Sequence, residues 1–445
     1  MENKLPIQVL SVCTSDVAGG AARAAYRIHQ GARSLGVDSK MFVKQRGSDD
    51  PTVHSLDEFV PHGVVHSFLD WCAAKCKNKI QHFRWAKYPN QDKNFKSDLR
   101  ATRIYGALQK MPYDVLHLHW LNQRFLPLDE LKNVGKPIVW TLHDSWPFCG
   151  VCHYFLDCEK YKTACGACPQ LGSDNKNDMA HQVWQRKQCF YQCLDLHIVA
   201  PSRWLANCAK QSALFRDCDV RVIPNCLDTD VFRPLDEGEI FAALEQNAAA
   251  NSVLRAAGEK AQKPFILYGA VNAATDRIKG FSSLLSALKL LDEQGFSANL
   301  IVFGANATDL PLQFSNINVD FIGYVDDTDF LVALYNLADV MVVPSLSENL
   351  SCAIMESLSC GTPVCCFDIG GNSDLVEHQK NGYLASPTDV DDLANGIRWC
   401  ISNNFDNKLD RFARKKVEEN FSIQRVSEQY IALYNEILSA SKNAI

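Results

Sequence analysis

What most constrains this chain is the repeated alternation of short Val- and Ile-rich runs with stretches of helical pattern. Runs such as PFILYGA from Pro264, NLIVFG from Asn299 and DVMVVP from Asp339 are apolar at consecutive positions. A strand of that kind is covered on both faces, the condition of a parallel sheet wrapped by crossover helices. The first half offers IQVLSVC from Ile7, SKMFV from Ser39, DVLHLH from Asp114, PIVWTLH from Pro137, HIVAP from His197 and VRVIP from Arg221. A second set begins at Pro264 and ends with PVCCF from Pro363, and the polar, alanine-rich stretch from Leu235 to Lys263 separates the two. This predicts an α/β protein of two Rossmann-like, doubly wound domains, 1–225 and 226–422. Segment 423–445 reads as an amphipathic helix able to pack on either domain, the N-terminal one included.

A formal charge of -6 over 445 residues gives no basic stripe, so no nucleic-acid partner is expected. The opening MENKLPIQVLSVC is too short and mixed for a secretory signal, and no run approaches the roughly 18 apolar residues of a membrane span. The expectation is a soluble, cytoplasmic protein. Its 18 cysteines read as reduced thiols, apart from a dense group from Cys149 to Cys168. There Cys152, Cys158, Cys165 and Cys168 are spaced C-x5-C-x6-C-x2-C, and the closing pair resembles a zinc hook. A structural zinc is expected from this spacing, with Cys149 and His153 as alternative ligands and packed reduced thiols as the competing reading. Residues 65–87 interleave lysines and arginines with Phe68, Trp71, Phe83 and Trp85, which suits either an anionic membrane surface or a solvated helix.

The strongest chemical signal is Ser347-Glu348-Asn349-Leu350-Ser351-Cys352-Ala353-Ile354-Met355-Glu356, between the strand DVMVVP and a helix. Unpaired N–H groups at a helix start suit a diphosphate. If the segment is largely helical, Glu348 and Glu356 stand roughly 12 Å apart, too far to flank one bond but well placed to grip a long ligand such as a nucleotide-sugar. Glu348 is then expected on the sugar and Glu356 on the ribose, against the alternative of two exposed helix carboxylates. A second cationic group, Asp276-Arg277-Ile278-Lys279-Gly280, follows the strand PFILYGA, at the sheet edge where doubly wound folds bind ligands. Gly19-Gly20 after the first strand permits close approach of a ligand to the backbone. His143-Asp144 and His117-x-His119 end two neighbouring strands, and a strand-end histidine is either structural or aimed at a ligand.

The segment PSLSENLSCAIMESLSCGTPV resembles the glutamate-x7-glutamate segment of family-4 retaining glycosyltransferases with the GT-B fold, of the bacterial exopolysaccharide and lipopolysaccharide type. The likeness extends to Phe321-Ile322-Gly323-Tyr324, Gly370-Gly371-Asn372-Ser373-Asp374 and Asn381-Gly382-Tyr383-Leu384, and so spans nearly the whole chain. It implies two domains facing across a cleft. Glu348 with the amides of Asn349 and Leu350 would contact the donor sugar, Glu356 the ribose and Lys279 the diphosphate. Gly19 and Gly20 would lie by the donor phosphate, and His143 near the reaction centre, oriented by Asp144. Two positions depart from the pattern. Gly269-Ala270-Val271 lacks the arginine that relatives often carry, for which Arg277 is the candidate substitute, and Cys226 stands where glycine is usual.

The resulting expectation is transfer of a sugar, with retention, from a nucleotide-diphosphate-sugar to a glycan or lipid-linked acceptor in surface polysaccharide synthesis. Positioning and charge stabilisation carry the reaction, and no metal cofactor is required. A sugar-nucleotide epimerase or phosphorylase of the same fold, and a non-catalytic sugar-nucleotide-binding subunit, are the alternatives.

Overall fold

A computed structural model describes residues 6–59, 87–90 and 105–443, apart from 124, 127 and stretches within 248–262, 271–275 and 306–312. The chain divides into two compact units, Met1–Pro224 with Ser427–Ile445, and Asn225–Val426.

The N-terminal unit is built on seven parallel strands, β1 (Gln8–Ser15), β2 (Asp38–Gln45), β3 (Val53–Ser55), β4 (Val115–Leu118), β5 (Ile138–Thr141), β6 (Leu196–Ala200) and β7 (Asp219–Val222). Their order is β3-β2-β1-β4-β5-β6-β7. The chain therefore winds outward from β1 in one direction and from β4 in the other, so the loops leaving these two strands diverge and open a crevice at their carboxyl ends. Thr14 closes the floor of that crevice, its N–H donating to Trp120 O at 2.8 Å and its hydroxyl to Trp120 O and Asn122 O, both at 3.0 Å. Leu118 lies beside Trp140 in the β4–β5 register, so His119 and His143 leave the same sheet edge just beyond their strands. Helix α1 (Gly20–Ser34) packs on the sheet through Ala24, Ala25, Ile28 and Ala32, at helical spacing, and the three alanines allow close approach. Helices α2 (Met179–Tyr191) and α3 (Arg203–Gln211) follow, each started by a side-chain cap, from Asp178 and Ser202 respectively.

The second unit carries β8 (Phe265–Gly269), β9 (Ala298–Phe303), β10 (Ile317–Gly323), β11 (Val340–Val343), β12 (Val364–Phe367) and β13 (Gly382–Ala385), all parallel in the order β10-β9-β8-β11-β12-β13. Its crevice accordingly lies between the loops after β8 and β11. Alternate residues of one strand enter two different cores. Leu267, Met341, Val343 and Cys366 pack with helices α5 (Thr328–Leu337), α6 (Cys352–Ser359) and α8 (Lys408–Asn420). Ile266, Tyr268, Val342 and Cys365 pack with α4 (Phe281–Glu293) and α7 (Val390–Ser402). That period-two division is why these strands are apolar throughout. Leu284, Leu288 and Leu291 of α4 recur at helical spacing and are buried; burial of each contributes about 1.5–3 kcal/mol.

Helix α9 (Ile423–Asn443) supplies the N-terminal unit with Tyr430 and Tyr434, one turn apart on one face. The Tyr434 hydroxyl meets His117 Nδ1 at 2.7 Å and that of Tyr430 meets Thr141 Oγ1 at 2.9 Å. Glu436 binds both terminal nitrogens of Arg221 on β7, at 2.6 and 2.7 Å. Among the described residues no helix is long and apolar enough to cross a membrane. The basic aromatic segment 65–87 lies outside the described residues except for Lys87.

Candidate active site

In the second unit, a single turn (Arg277–Lys279) fills the loop after β8, its N–H groups capped by Asp276, which accepts from Ile278 N at 3.0 Å. This turn is bonded to the loop that follows β11, Leu346 N donating to Ile278 O at 2.7 Å. Gly280 follows with φ 72°, and a Cβ there would sit 1.8 Å from Pro344 O, so only glycine lets the two loops touch. The contact delivers Lys279 Nζ to 3.2 Å from Glu348 Oε2, with 24% and 15% of the two side chains exposed. From the other side, the loop after β12 presses on Glu348. Gly370 has φ 56°, a Cβ on it would meet Glu348 O at 1.8 Å, and Gly371 N reaches that oxygen at 3.4 Å. Three loops at one sheet edge thus hold one carboxylate and one ammonium at the switch point. Arg277 is exposed beside them.

Helix α6 begins only at Cys352, with Ser351 capping Ile354 N at 3.4 Å. Glu348 therefore stands on irregular backbone, and only the part of the intervening segment from Cys352 onward is helical. Leu350 is 5% exposed and belongs to the core, so its backbone is what it can offer a ligand, while Asn349 is half-buried. Glu356 is 5% exposed and accepts from the Tyr335 hydroxyl at 3.2 Å. Burial, reinforced by the Glu356 charge, pushes the Tyr335 phenol well above its ordinary value, so it stays a donor. This removes the alternative of two exposed carboxylates. Tyr335 itself sits within the periodic pattern of α5 and carries no motif that would have singled it out.

In the N-terminal unit the histidines form a bonded group. His119 Nδ1 lies 3.1 Å from His143 Nε2, and His117 is held between Tyr434 and, at 2.8 Å, Thr141. Burial pushes His143 down to about 4 against the opposing charge of Asp144, and His117 down to about 3, so both rings are neutral at physiological pH. The expected partnership of Asp144 with His143 needs correction. The Asp144 carboxylate accepts from Trp120 Nε1 at 2.8 Å, Trp146 N at 2.9 Å and His153 Nδ1 at 2.6 Å, and it is His119 that meets the His143 ring. Burial opposes ionisation of both partners, yet the mutual attraction prevails, holding Asp144 below and His153 above their ordinary values.

Two sequence families match the chain. The profile described as Glycosyltransferase Family 4 covers residues 18–231, and that described as Glycosyl transferases group 1 covers residues 253–418. The chain belongs to the family 4 glycosyltransferases. It is 28% identical, over 94% of its length and 97% of the relative's, to an Escherichia coli (strain K12) protein assigned to colanic acid biosynthesis as glycosyl transferase WcaC. It is 26% identical over 37% of its length to the capsular polysaccharide biosynthesis glycosyltransferase CapM of Staphylococcus aureus, of which the match covers 44%. Among solved structures, a glycosyltransferase of Rickettsia africae superposes with a TM-score of 0.64 at 16% identity, covering 97% of this chain and 99% of that one. Anabaena HepE in complex with UDP and glucose superposes with 0.62 at 17% identity, covering 96% and 99%. The two sheets are thus those of GT-B glycosyltransferases, and the activity is sugar transfer from a nucleotide-sugar.

The transferase's remaining predicted residues fall elsewhere. Gly19 caps α1 with φ 92° and Gly20 begins that helix; both are exposed, and no atom lies within 4 Å of where a Gly19 Cβ would be. The neighbouring Asp16, which no motif marked, is fully buried and ties this loop to Gly47 N and Ser48 N at 2.8 and 2.9 Å. Cys152, Cys165 and Cys168 are buried while Cys158 is half-exposed, and among the described residues no group of three or more His, Cys, Asp or Glu side chains is arranged to hold a metal ion. Cys165 Sγ accepts from Gly150 N at 3.1 Å. A lysine enters this loop: Lys187 of α2 is fully buried, donates to Trp146 O, to Cys149 O at 2.9 Å and to Gly150 O at 3.1 Å, and lies 3.6 Å over the Trp146 ring. Burial brings its ammonium down to about 7, with the nearby thiols acting in the opposite sense. Lys187 was invisible in the sequence because nothing local distinguishes it from a solvated helix lysine.

Proposed function

We propose that the enzyme transfers a hexosyl unit, with retention and without a divalent metal, from a nucleotide-diphosphate-sugar to a glycan or lipid-linked acceptor in the cytoplasm, as a step in surface polysaccharide synthesis. The observation that carries this reading is the Lys279–Glu348 pair at the switch point of the second sheet. An incoming diphosphate replaces Glu348 as the partner of Lys279, with Arg277 and the N–H groups at the start of α6 sharing its charge. Glu348, released, accepts a hydroxyl of the transferred sugar, and Glu356, steadied by Tyr335, accepts from the ribose. With Glu348 engaged in binding, attack comes from the face that the diphosphate leaves, and the departing oxygen takes the acceptor's proton. His143 offers its imidazole to the bound substrate. The relatives assigned to colanic acid and capsule synthesis support the polymer context, and the HepE complex puts UDP-sugars first among donors to try.

Calorimetry of Lys279→Ala tests the donor site. A charge-assisted bond is worth about 1.5–3 kcal/mol, so a nucleoside diphosphate is expected to bind roughly 10- to 150-fold more weakly with the nucleoside unaffected. Equal losses for both ligands would remove Lys279 from the phosphate. Turnover unchanged by EDTA, and a product retaining the donor's anomeric configuration by NMR, check the two remaining parts of the reading.

A further inference from the structure

His119 is 2% exposed, its ring packs 4.1 Å from that of His117, and among the described residues its Nε2 has no hydrogen-bond partner. Its other nitrogen, Nδ1, lies 3.1 Å from His143 Nε2. Two neutral imidazoles joined at that distance share one proton, and its position dictates both tautomers. If His143 Nε2 carries it, His119 must hold its own proton on Nε2, where a buried N–H finds no acceptor. If His119 Nδ1 carries it, Nε2 is left as a bare lone pair. An orphaned buried donor is the rarer and costlier arrangement, so the second assignment prevails. We infer that His119 is a positioning residue, donating from Nδ1 to His143 Nε2 and so holding His143 as its Nδ1–H tautomer.

The surroundings agree. His117 spends both nitrogens on the Tyr434 and Thr141 hydroxyls and cannot pair with His119 Nε2. Burial holds His119 and His143 neutral, as the shared single proton requires. Asp144, the usual kind of residue to orient an imidazole, is engaged by Trp120, Trp146 and His153. The consequence bears on chemistry, and here the inference rests on the reading that His143 meets substrate. With Nε2 occupied as an acceptor, His143 serves as a fixed hydrogen-bond donor through Nδ1–H and not as a proton acceptor through Nε2.

Nitrogen-15 NMR of the histidine-labelled full chain, without substrate, distinguishes protonated from bare ring nitrogens, and the His143 signals are identified by their loss in His143→Gln. The expected result is a bare Nε2 and protonated Nδ1 on His143, with the same on His119. A protonated Nε2 on His143 in the unsubstituted protein overturns the inference, whatever the variants do. His119→Asn keeps an amide N–H near the Nδ1 position, whereas His119→Leu removes it. The leucine variant is expected to lose roughly 10- to 100-fold in kcat with donor KM little changed, and the asparagine variant to recover most of it. Equal losses in both variants, each melting as the unsubstituted protein does, count against the positioning role. A correct His143 tautomer together with unaltered His119→Leu turnover upholds the tautomer and removes His143 from the reaction.

Discussion

Replacing Glu348 with glutamine is expected to tighten the grip on a nucleoside diphosphate while slowing the reaction. Lys279 is held by Glu348 at 3.2 Å, so on the proposed reading a diphosphate must first displace that carboxylate. With 24% and 15% of the two side chains exposed, the pair is neither a surface contact nor fully buried, and about 1 kcal/mol is a reasonable worth for it. Glutamine keeps the shape and removes the charge. The diphosphate then gains that 1 kcal/mol, about fivefold in Kd, and no longer faces a like charge across the loop. Lys279→Ala acts in the opposite sense, losing the ammonium and leaving Glu348 facing the phosphates. Titration calorimetry with UDP, GDP and ADP, at low and at high salt, reads both effects, and the glutamine gain shrinks as salt screens the pair. Turnover of Glu348→Gln falls because the hydroxyl-accepting charge is gone from the transferred sugar. A glutamine variant that binds nucleoside diphosphates as weakly as Lys279→Ala would refute the idea that the two side chains compete for one partner.

Gly370→Ala forces a side chain onto φ 56° and into Glu348 O, and is expected to cost about 2–4 kcal/mol, lowering the melting temperature of the second unit by roughly 5–10 °C with loss of turnover; a fully active variant of unchanged melting would contradict the close approach. Lys187→Met leaves the Trp146, Cys149 and Gly150 carbonyls without their donor, and destabilisation of about 3–5 kcal/mol is expected in thermal melting of the N-terminal unit. That unit is also expected to weaken as the pH falls below about 6.5, where unfolded imidazoles take up protons that His117 and His143 refuse until about pH 3 and 4. His153, with its raised value, acts oppositely: its contribution is whole below about pH 6.5 and fades as the pH rises through its folded value. The net acid sensitivity is expected to shrink in His143→Gln, measured as melting temperature between pH 7 and 5; an identical slope in that variant would mean the ring is not held neutral.

Ten strands were legible as apolar runs because a strand inside a parallel sheet feeds two cores at once. The three that escaped, β3, β10 and β13, all lie at sheet edges. β3 is three residues long, and β10, reading INVDFIG, has intermediate or exposed residues at every position but the first, so neither has to be apolar throughout. The candidate donor-site residues were readable for a related reason. Glu348, Lys279 and their flanking glycines sit at strand-to-helix turns, where backbone demands leave a local signature. His119, Tyr335, Asp16 and Lys187 act through partners 21 to 41 residues away, at distances set by tertiary packing. The cysteine spacing gave no sign that a lysine from the next helix enters that loop.

The tyrosines of α9 also bear on the order in which the protein is made. Residues 225–426 form a unit of their own, and the ribosome produces it before Tyr430 and Tyr434 exist. Until those residues emerge, His117 Nδ1 and Thr141 Oγ1 lack the hydroxyls that satisfy them, and Arg221 lacks Glu436. The second unit can therefore close during synthesis, at about 5–20 residues per second, while the unit begun first waits with its histidine layer open. Translation runs from N to C, but completion of the two units runs the other way, and a nascent chain stalled before residue 427 would present a finished second unit and an N-terminal unit still vulnerable to proteolysis.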